Sequence, residues 1–158
     1  MTEFRRILVP LDGSRLAERA IPLATTLARK FGGEILLLHV LDIPIPTLPT
    51  SHLEVTMGRV REARAQALKE AQEYLDTRQQ EIHQQGIEVR VLTRDRSPAE
   101  DILQVADSER IDLIVMSAHG QGGLARCSFG SVADKVARQS PCPVLLVRYA
   151  APEAAGTG

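Results

Sequence analysis

Two short stretches of this chain carry residue types suited to holding a phosphorylated ligand. The first is Met116-Ser117-Ala118-His119-Gly120, followed by nine residues and then Gly130-Ser131-Val132. Glycines let backbone amides approach an anion closely. Gly130, Ser131 and Val132 fall where a helix should begin, and the unpaired amides and dipole of a helix start favour phosphate. The Ser131 hydroxyl adds a donor. The second stretch is Pro10-Leu11-Asp12-Gly13-Ser14, an apolar run ending in a turn, where Asp12 is either a turn-former or a ligand acceptor.

Other phosphate chemistries fit less well. No Gly-Lys-Ser/Thr occurs, so a P-loop lysine is missing, and Arg126 is the only cation inside the loop. Gly120-x-Gly122-x-x-Ala125 resembles a dinucleotide fingerprint, but the helix should start only at Gly130, and the next strand ends in Arg148 rather than an acid. Leu11-Asp12-Gly13-Ser14 is not the serine-glycine-rich loop of pyrophosphatase-type ATP enzymes, which argues against nucleotidyl transfer. His39 and His119 both fall near strand ends and border the same region. A zinc site would need more ligands than these, so no metal ligand is assigned. His119 is read as shaping the loop; His52 and His83 are read as exposed.

The elements that position these residues alternate regularly. Ile7 to Pro10 reads as a buried strand. A helix capped by Ser14 should follow, with Leu16, Ala17, Ala20, Ala24, Leu27, Ala28 and Phe31 on one face, stopped by Gly32-Gly33. Glu34 to Val40 is a second strand. A loop with Pro44, Pro46 and Pro49 leads into one long helix from about Glu54 to Gln85, with Gly58 as a candidate break and Gly86 as its end. Val89 to Thr93 is a third strand. Ser97-Pro98-Ala99-Glu100 has both capping-box spacing and proline at the first helical position. The helix it opens packs through Ile102, Val105 and Ala106. Leu113 to Met116 is strand four, Gly130-Ser131 opens the last helix through Val132 and Val136, and Val144 to Val147 is strand five. Apolar strands alternating with helices predict an α/β fold: an open, doubly wound, five-stranded parallel sheet of order 3-2-1-4-5 with helices on both faces. Ligands bind such sheets where the strand order reverses, between strands one and four, which is where the two stretches lie.

Composition narrows the function. The 158 residues suit one domain, here taken as 1–149, with 150–158 as a flexible tail. The net charge is −1, aromatic residues make up 3%, and tryptophan is absent, which argues against a nucleic-acid ligand. The two cysteines, Cys127 and Cys142, form no CxxC pair and suit reduced thiols. The start has no apolar leader stretch and no run is long enough to span a membrane, so the expected location is cytoplasmic, without membrane contact.

Several of these residues together resemble the universal stress protein family. Its ATP-binding members carry Gly-x-x-Gly, nine residues, then Gly followed by Ser or Thr; here Gly120, the spacing and Gly130-Ser131 match, while Ser117 stands at the first Gly. The opening Ile7-Leu8-Val9-Pro10-Leu11-Asp12-Gly13-Ser14, the strand ending His39-Val40 and the closing Pro141-Cys142-Pro143-Val144-Leu145-Leu146-Val147 are similar to the family as well. The likeness extends to about Arg148. It implies that Asp12 hydrogen-bonds ribose or adenine, that Val40 contacts adenine through its backbone, and that Pro10 and Met116 line the base pocket. Gly120, Gly130, Ser131 and Val132 would hold the phosphates. Leu11, Ser117 and His119 complete the candidate set. The implied ligand is ATP, or ADP or AMP, with Mg²⁺ or Mn²⁺ carried on its phosphates.

No nucleophile–base pair stands out, so catalysis is read as at most slow ATP hydrolysis within a binding or signalling module. An ATP-dependent hydrolase and a nucleotide-free protein-interaction domain stay open as alternatives. Strand five is apolar and should lie at a sheet edge, which invites a homodimer through residues 144–147. The Asp42 to His52 loop is a candidate cover for the nucleotide.

Overall fold

The computed structural model describes residues 3–43, 53–119 and 129–148. The tail, the proline loop from Pro44 through His52, and Gly120, Gly122, Ala125, Arg126 and Cys127 lie outside these described residues. In chain order the elements are β1 (Arg6–Leu11), α1 (Arg15–Glu18), α2 (Ala20–Phe31), β2 (Glu34–Val40), α3 (Leu53–His83), β3 (Val89–Arg94), α4 (Pro98–Ser108), β4 (Leu113–Ser117), α5 (Ser131–Gln139) and β5 (Val144–Val147). The five strands form one sheet of order β3-β2-β1-β4-β5, and every pairing is parallel.

Because side chains alternate across a strand, each strand feeds two cores. Ile7, Val9, Ile35 and Leu37 pack with Ala20, Ala24 and Ala28 of α2 and Leu75 and Ile82 of α3 on one face. Leu8, Leu36, Leu38, Ile114 and Met116 pack with Ile102 and Val105 of α4 and Val136 of α5 on the other. The middle strands are therefore apolar on both sides. No described helix is long and apolar enough to cross a membrane.

Three local expectations are corrected. The helix after β1 is not continuous: α1 ends at Glu18 and α2 begins at Ala20. Pro22 causes the break, since it has no amide to offer the Glu18 carbonyl and its ring crowds that group. Ser14 does cap α1, its side chain accepting from the Ala17 amide at 3.1 Å. The long helix is not broken at Gly58, because one exposed glycine costs only about 1 kcal/mol against a stripe anchored by Ala71, Leu75 and Ile82. The capping box at α4 is not made: the Ser97 side chain caps nothing, and Glu100 reaches away to Lys135 of α5 at 3.1 Å. Instead Asp101, 2% exposed, accepts from the Arg96 amide at 3.1 Å.

Gly33, where α2 turns into β2, is a close-approach position. A Cβ there would lie 2.7 Å from the carbonyl oxygens of both Phe4 and Arg5, and the Glu34 amide donates to the Arg5 carbonyl at 2.7 Å. Both obstacles are backbone, so the strand entry itself would have to move. Gly33→Ala is expected to lose about 1–3 kcal/mol of stability, read from the urea midpoint at unchanged m-value.

Candidate functional site

β1 and β4 are neighbours at the centre of the sheet, but the chain leaves them toward opposite faces. After β1 it enters α1, whose Ala17 joins the α2/α3 core; after β4 it reaches α5, whose Ala133 joins the α4 core. The two exits diverge and leave a cleft of about 480 Å³ over the carboxyl ends of the strands. Its floor is Pro10, Leu11, Met116 and Ser117. One wall is Val40, Leu41 and Asp42 with Pro98 and Ile102 of α4. The other is His119 with Gly130, Ser131, Val132 and Ala133, and Asp12, Ala17 and His39 close the near end. Every described residue of the candidate set thus meets in one cavity. Gly120 lies outside the described residues.

Sequence reasoning missed the α4 wall and Ala133. The signal was present: Pro98 and Ile102 are four apart on the apolar face of α4, and Ala133 follows the Gly130-Ser131-Val132 run directly.

The turn after β1 is tightly built. The Asp12 Oδ1 accepts from the Ser14 amide at 2.8 Å, and Gly13 sits at φ 82°, in the left-handed region that favours glycine. Asp12 is therefore a turn-former that also borders the cleft, so the two readings of this residue are compatible.

The loop after β4 is held at its base. The Ser117 hydroxyl donates to the His119 carbonyl at 2.7 Å, and the Ser117 Oγ in turn accepts from the His119 amide at 3.3 Å. Ser117 has no positive φ; among the described residues Arg110 is the only non-glycine residue that does. Serine at this motif position therefore brings no backbone strain. The Gly130 amide donates to the Ala118 carbonyl at 2.9 Å, and the Asp134 amide to the Gly130 carbonyl at 2.9 Å. Between them, the amides of Ser131, Val132 and Ala133 have no acceptor among the described residues, and α5 has no side-chain cap. Such an end is open to an anion. Asp134 in the first turn would oppose one, but Arg138 pairs with its carboxylate at 3.0 Å.

His39 is buried beside this turn. Burial pushes its pKa below the ordinary 6.5, and the nearby Asp12 carboxylate only partly opposes that shift. Its ring meets Tyr74 of α3 edge-on, with centroids 5.6 Å apart. The Tyr74 hydroxyl donates to Glu18 at 2.8 Å, and burial with that bond pushes its pKa upward. Among the described residues, no three of His, Cys, Asp and Glu gather as a metal site.

Against this geometry the profile of the universal stress protein family matches residues 3–148. The chain belongs to that family. Universal stress protein YxiE of Bacillus subtilis is 31% identical over 147 residues, spanning 92% of this chain and 99% of the relative. The universal stress protein UspA from Lactobacillus plantarum has the same fold, with a TM-score of 0.82 at 25% identity, spanning 94% of this chain and 100% of that one. Two more distant universal stress proteins, 20% and 23% identical with TM-scores of 0.59 and 0.60, are solved in complex with cAMP and dAMP respectively, the second being from Archaeoglobus fulgidus. The family is a stress-response family, and some of its members bind adenine nucleotides.

Ser117→Ala removes both contacts at the base of the loop. The expected loss is about 0.5–1.5 kcal/mol, accompanied by faster amide hydrogen exchange at His119 than in the unaltered chain.

Proposed function

We propose that this universal stress protein binds an adenine nucleotide, with ATP as the occupant, and works as a stress-response binding or signalling module. One observation carries the reading: a single cleft is lined by the apolar Pro10, Val40 and Met116, by the Asp12 carboxylate and by the open amino end of α5. A planar base fits the slot of Pro10, Val40 and Met116, with the Val40 backbone reading its edge. Ribose hydroxyls meet Asp12, and phosphates meet Gly120, Gly130, Ser131 and Val132. The volume, about 480 Å³, lies within the range of about 300–1,000 Å³ typical of small-molecule sites. Mg²⁺ or Mn²⁺ would ride on the phosphates, as hard cations do, rather than on a protein ligand set. The module is read as cytoplasmic, without nucleic-acid or membrane ligands.

The groups lining the cleft support binding more than turnover. Phosphoryl transfer calls for positioned cations and an oriented nucleophile, and the described lining offers amides, carboxylates, hydroxyls and two imidazoles but no lysine or arginine. Hydrolysis is therefore expected to be slow at most. A metal-dependent rate near 1–10³ s⁻¹, the ordinary enzyme range of about that order, would favour the ATP-dependent hydrolase instead. Protein purified without added nucleotide, then denatured, should release ATP, ADP or AMP detectable by mass spectrometry. Asp12→Ala should weaken ATP binding by about tenfold or more. An empty protein that also fails to bind millimolar ATP with Mg²⁺ would leave the nucleotide-free interaction domain as the function.

The edge strand supports a homodimer. Val144, Leu145, Leu146 and Val147 are apolar yet only half-buried. The carbonyls of Pro143 and Val147 accept from the amides of Ile114 in β4 and Ala118 just after it, so by ladder alternation the amides of Val144 and Leu146 point away from the sheet. Val144→Pro deletes an outward amide without touching the inner ladder. It should convert a dimer to a monomer by light scattering; a Val144→Pro chain that stays dimeric places the interface elsewhere.

A further inference from the structure

Behind Asp12, on the face of the sheet covered by α1 and α3, lies a polar cluster to which the nucleotide reading gives no role. His39 is 7% exposed, lines the cleft, and has its Nδ1 buried without a hydrogen-bond partner among the described residues. Its Nε2 faces the Asp12–Gly13 turn, since a Cβ placed on Gly13 would lie 3.6 Å from it. The opposite side of the ring environment is Tyr74. The Tyr74 hydroxyl is committed to Glu18, and Arg78 closes the group, its Nε 3.8 Å from Glu18 and its guanidinium 5.7 Å from the Tyr74 ring centroid. The ionisable groups around His39 are thus Asp12 after β1, Glu18 from α1, Tyr74 and Arg78 from α3, and Asp42 across the cleft. Its register neighbour on β3 is the uncharged Thr93, whose hydroxyl is also buried without a partner.

We propose that His39 is a positioning residue for the Asp12 carboxylate, and that protonation of His39 and occupation of the ribose subsite exclude one another. The inference rests on the nucleotide reading above. With a neutral imidazole behind it, Asp12 keeps its bond to the Ser14 amide and borders the cleft without a competing cation on His39. A proton on His39 creates a cation beside Asp12 in a water-poor site, and a carboxylate drawn onto an imidazolium is a poorer acceptor for a ribose hydroxyl. Glu18 is already engaged by the Tyr74 hydroxyl at 2.8 Å and lies 3.8 Å from the Arg78 Nε, whereas the charge that acts on His39 is that of Asp12. The reverse path has the same sign: a nucleoside in the cleft strips water from His39, which penalises the charged ring. Binding therefore weakens as pH falls and His39 takes up its proton.

Adenosine is the probe, because it carries no phosphate to titrate. Calorimetric titration of the full chain should give a dissociation constant that rises steadily as the pH is lowered from 8 to 5, and His39→Gln should flatten that profile. In the unaltered chain, the imidazole ¹⁵N shifts of His39 should titrate at lower pH once adenosine is bound. Without any nucleoside, Asp12→Asn should also lower the pH at which His39 titrates, because it removes the carboxylate that favours the proton. This last measurement separates the two readings. If adenosine does not bind but Asp12→Asn moves the His39 titration, the nucleotide reading fails while the His39–Asp12 coupling stands. A flat affinity profile in the unaltered chain, a His39→Gln profile parallel to it, or a His39 titration indifferent to Asp12→Asn overturns the proposal.

Discussion

Parallel strands cannot be joined by tight turns, and each connection must cross over one face of the sheet. Here the crossovers from β1 and from β4 take opposite faces although the strands themselves are neighbours. That divergence is the constraint on which the rest depends. It forces the middle strands to be apolar on both sides, and among the described residues it leaves a cleft over their carboxyl ends. The cleft is thus a product of topology. Side chains such as Asp12 and Ser117 furnish it but do not create it, and both are fixed mainly by bonds to their own turns.

Three helices begin near this end of the sheet, and they handle their first amides differently. α1 spends the Ser14 hydroxyl on its own Ala17 amide. α4 starts with Pro98, which has no amide to satisfy, and its entry is fastened by buried Asp101. α5 starts at a glycine and satisfies none of its first three amides with a described group. Serine or aspartate at that cap would have occupied one of them at a gain of about 1 kcal/mol. Forgoing this stabilisation leaves three amides open at the amino end of α5, where Gly130 and Ser131 line the cleft, and the phosphate reading rests on that arrangement.

Much of this was legible in the residues. Strand and helix order follow from apolar runs alternating with glycine-bounded helices, because those patterns record local geometry; the strand order then points to the loops after β1 and β4, while the roles of Pro10, Val40 and Met116 come from the family resemblance. What escaped depended on partners distant in sequence or on competition between neighbours. Pro22 sits inside a continuous apolar stripe, and the break it causes comes from its missing amide opposite the Glu18 carbonyl, which the stripe does not register. Ser97 and Glu100 had capping-box spacing, but Lys135, on another helix, drew Glu100 away. The network of His39, Tyr74, Glu18 and Arg78 joins three elements, and no local spacing announces it. Ser117 is the reverse case: the departure from the motif was plain in the sequence, and only its φ and its bonds to His119 reveal it as compatible with the turn.

Ala118 is an unassuming residue, fully buried at the end of β4. Its amide is fastened to the Val147 carbonyl of the edge strand, and its carbonyl takes the amide of Gly130 at the head of α5. The two peptide groups flanking a single Cα therefore tether the outermost strand and the head of α5 to the same point. Force applied along that outer edge, by any chain that pairs there, is transmitted through two hydrogen bonds and one residue to the mouth of the cleft. The rim of the molecule and its centre are mechanically one part, and a methyl side chain packed with no exposed surface leaves that joint little slack.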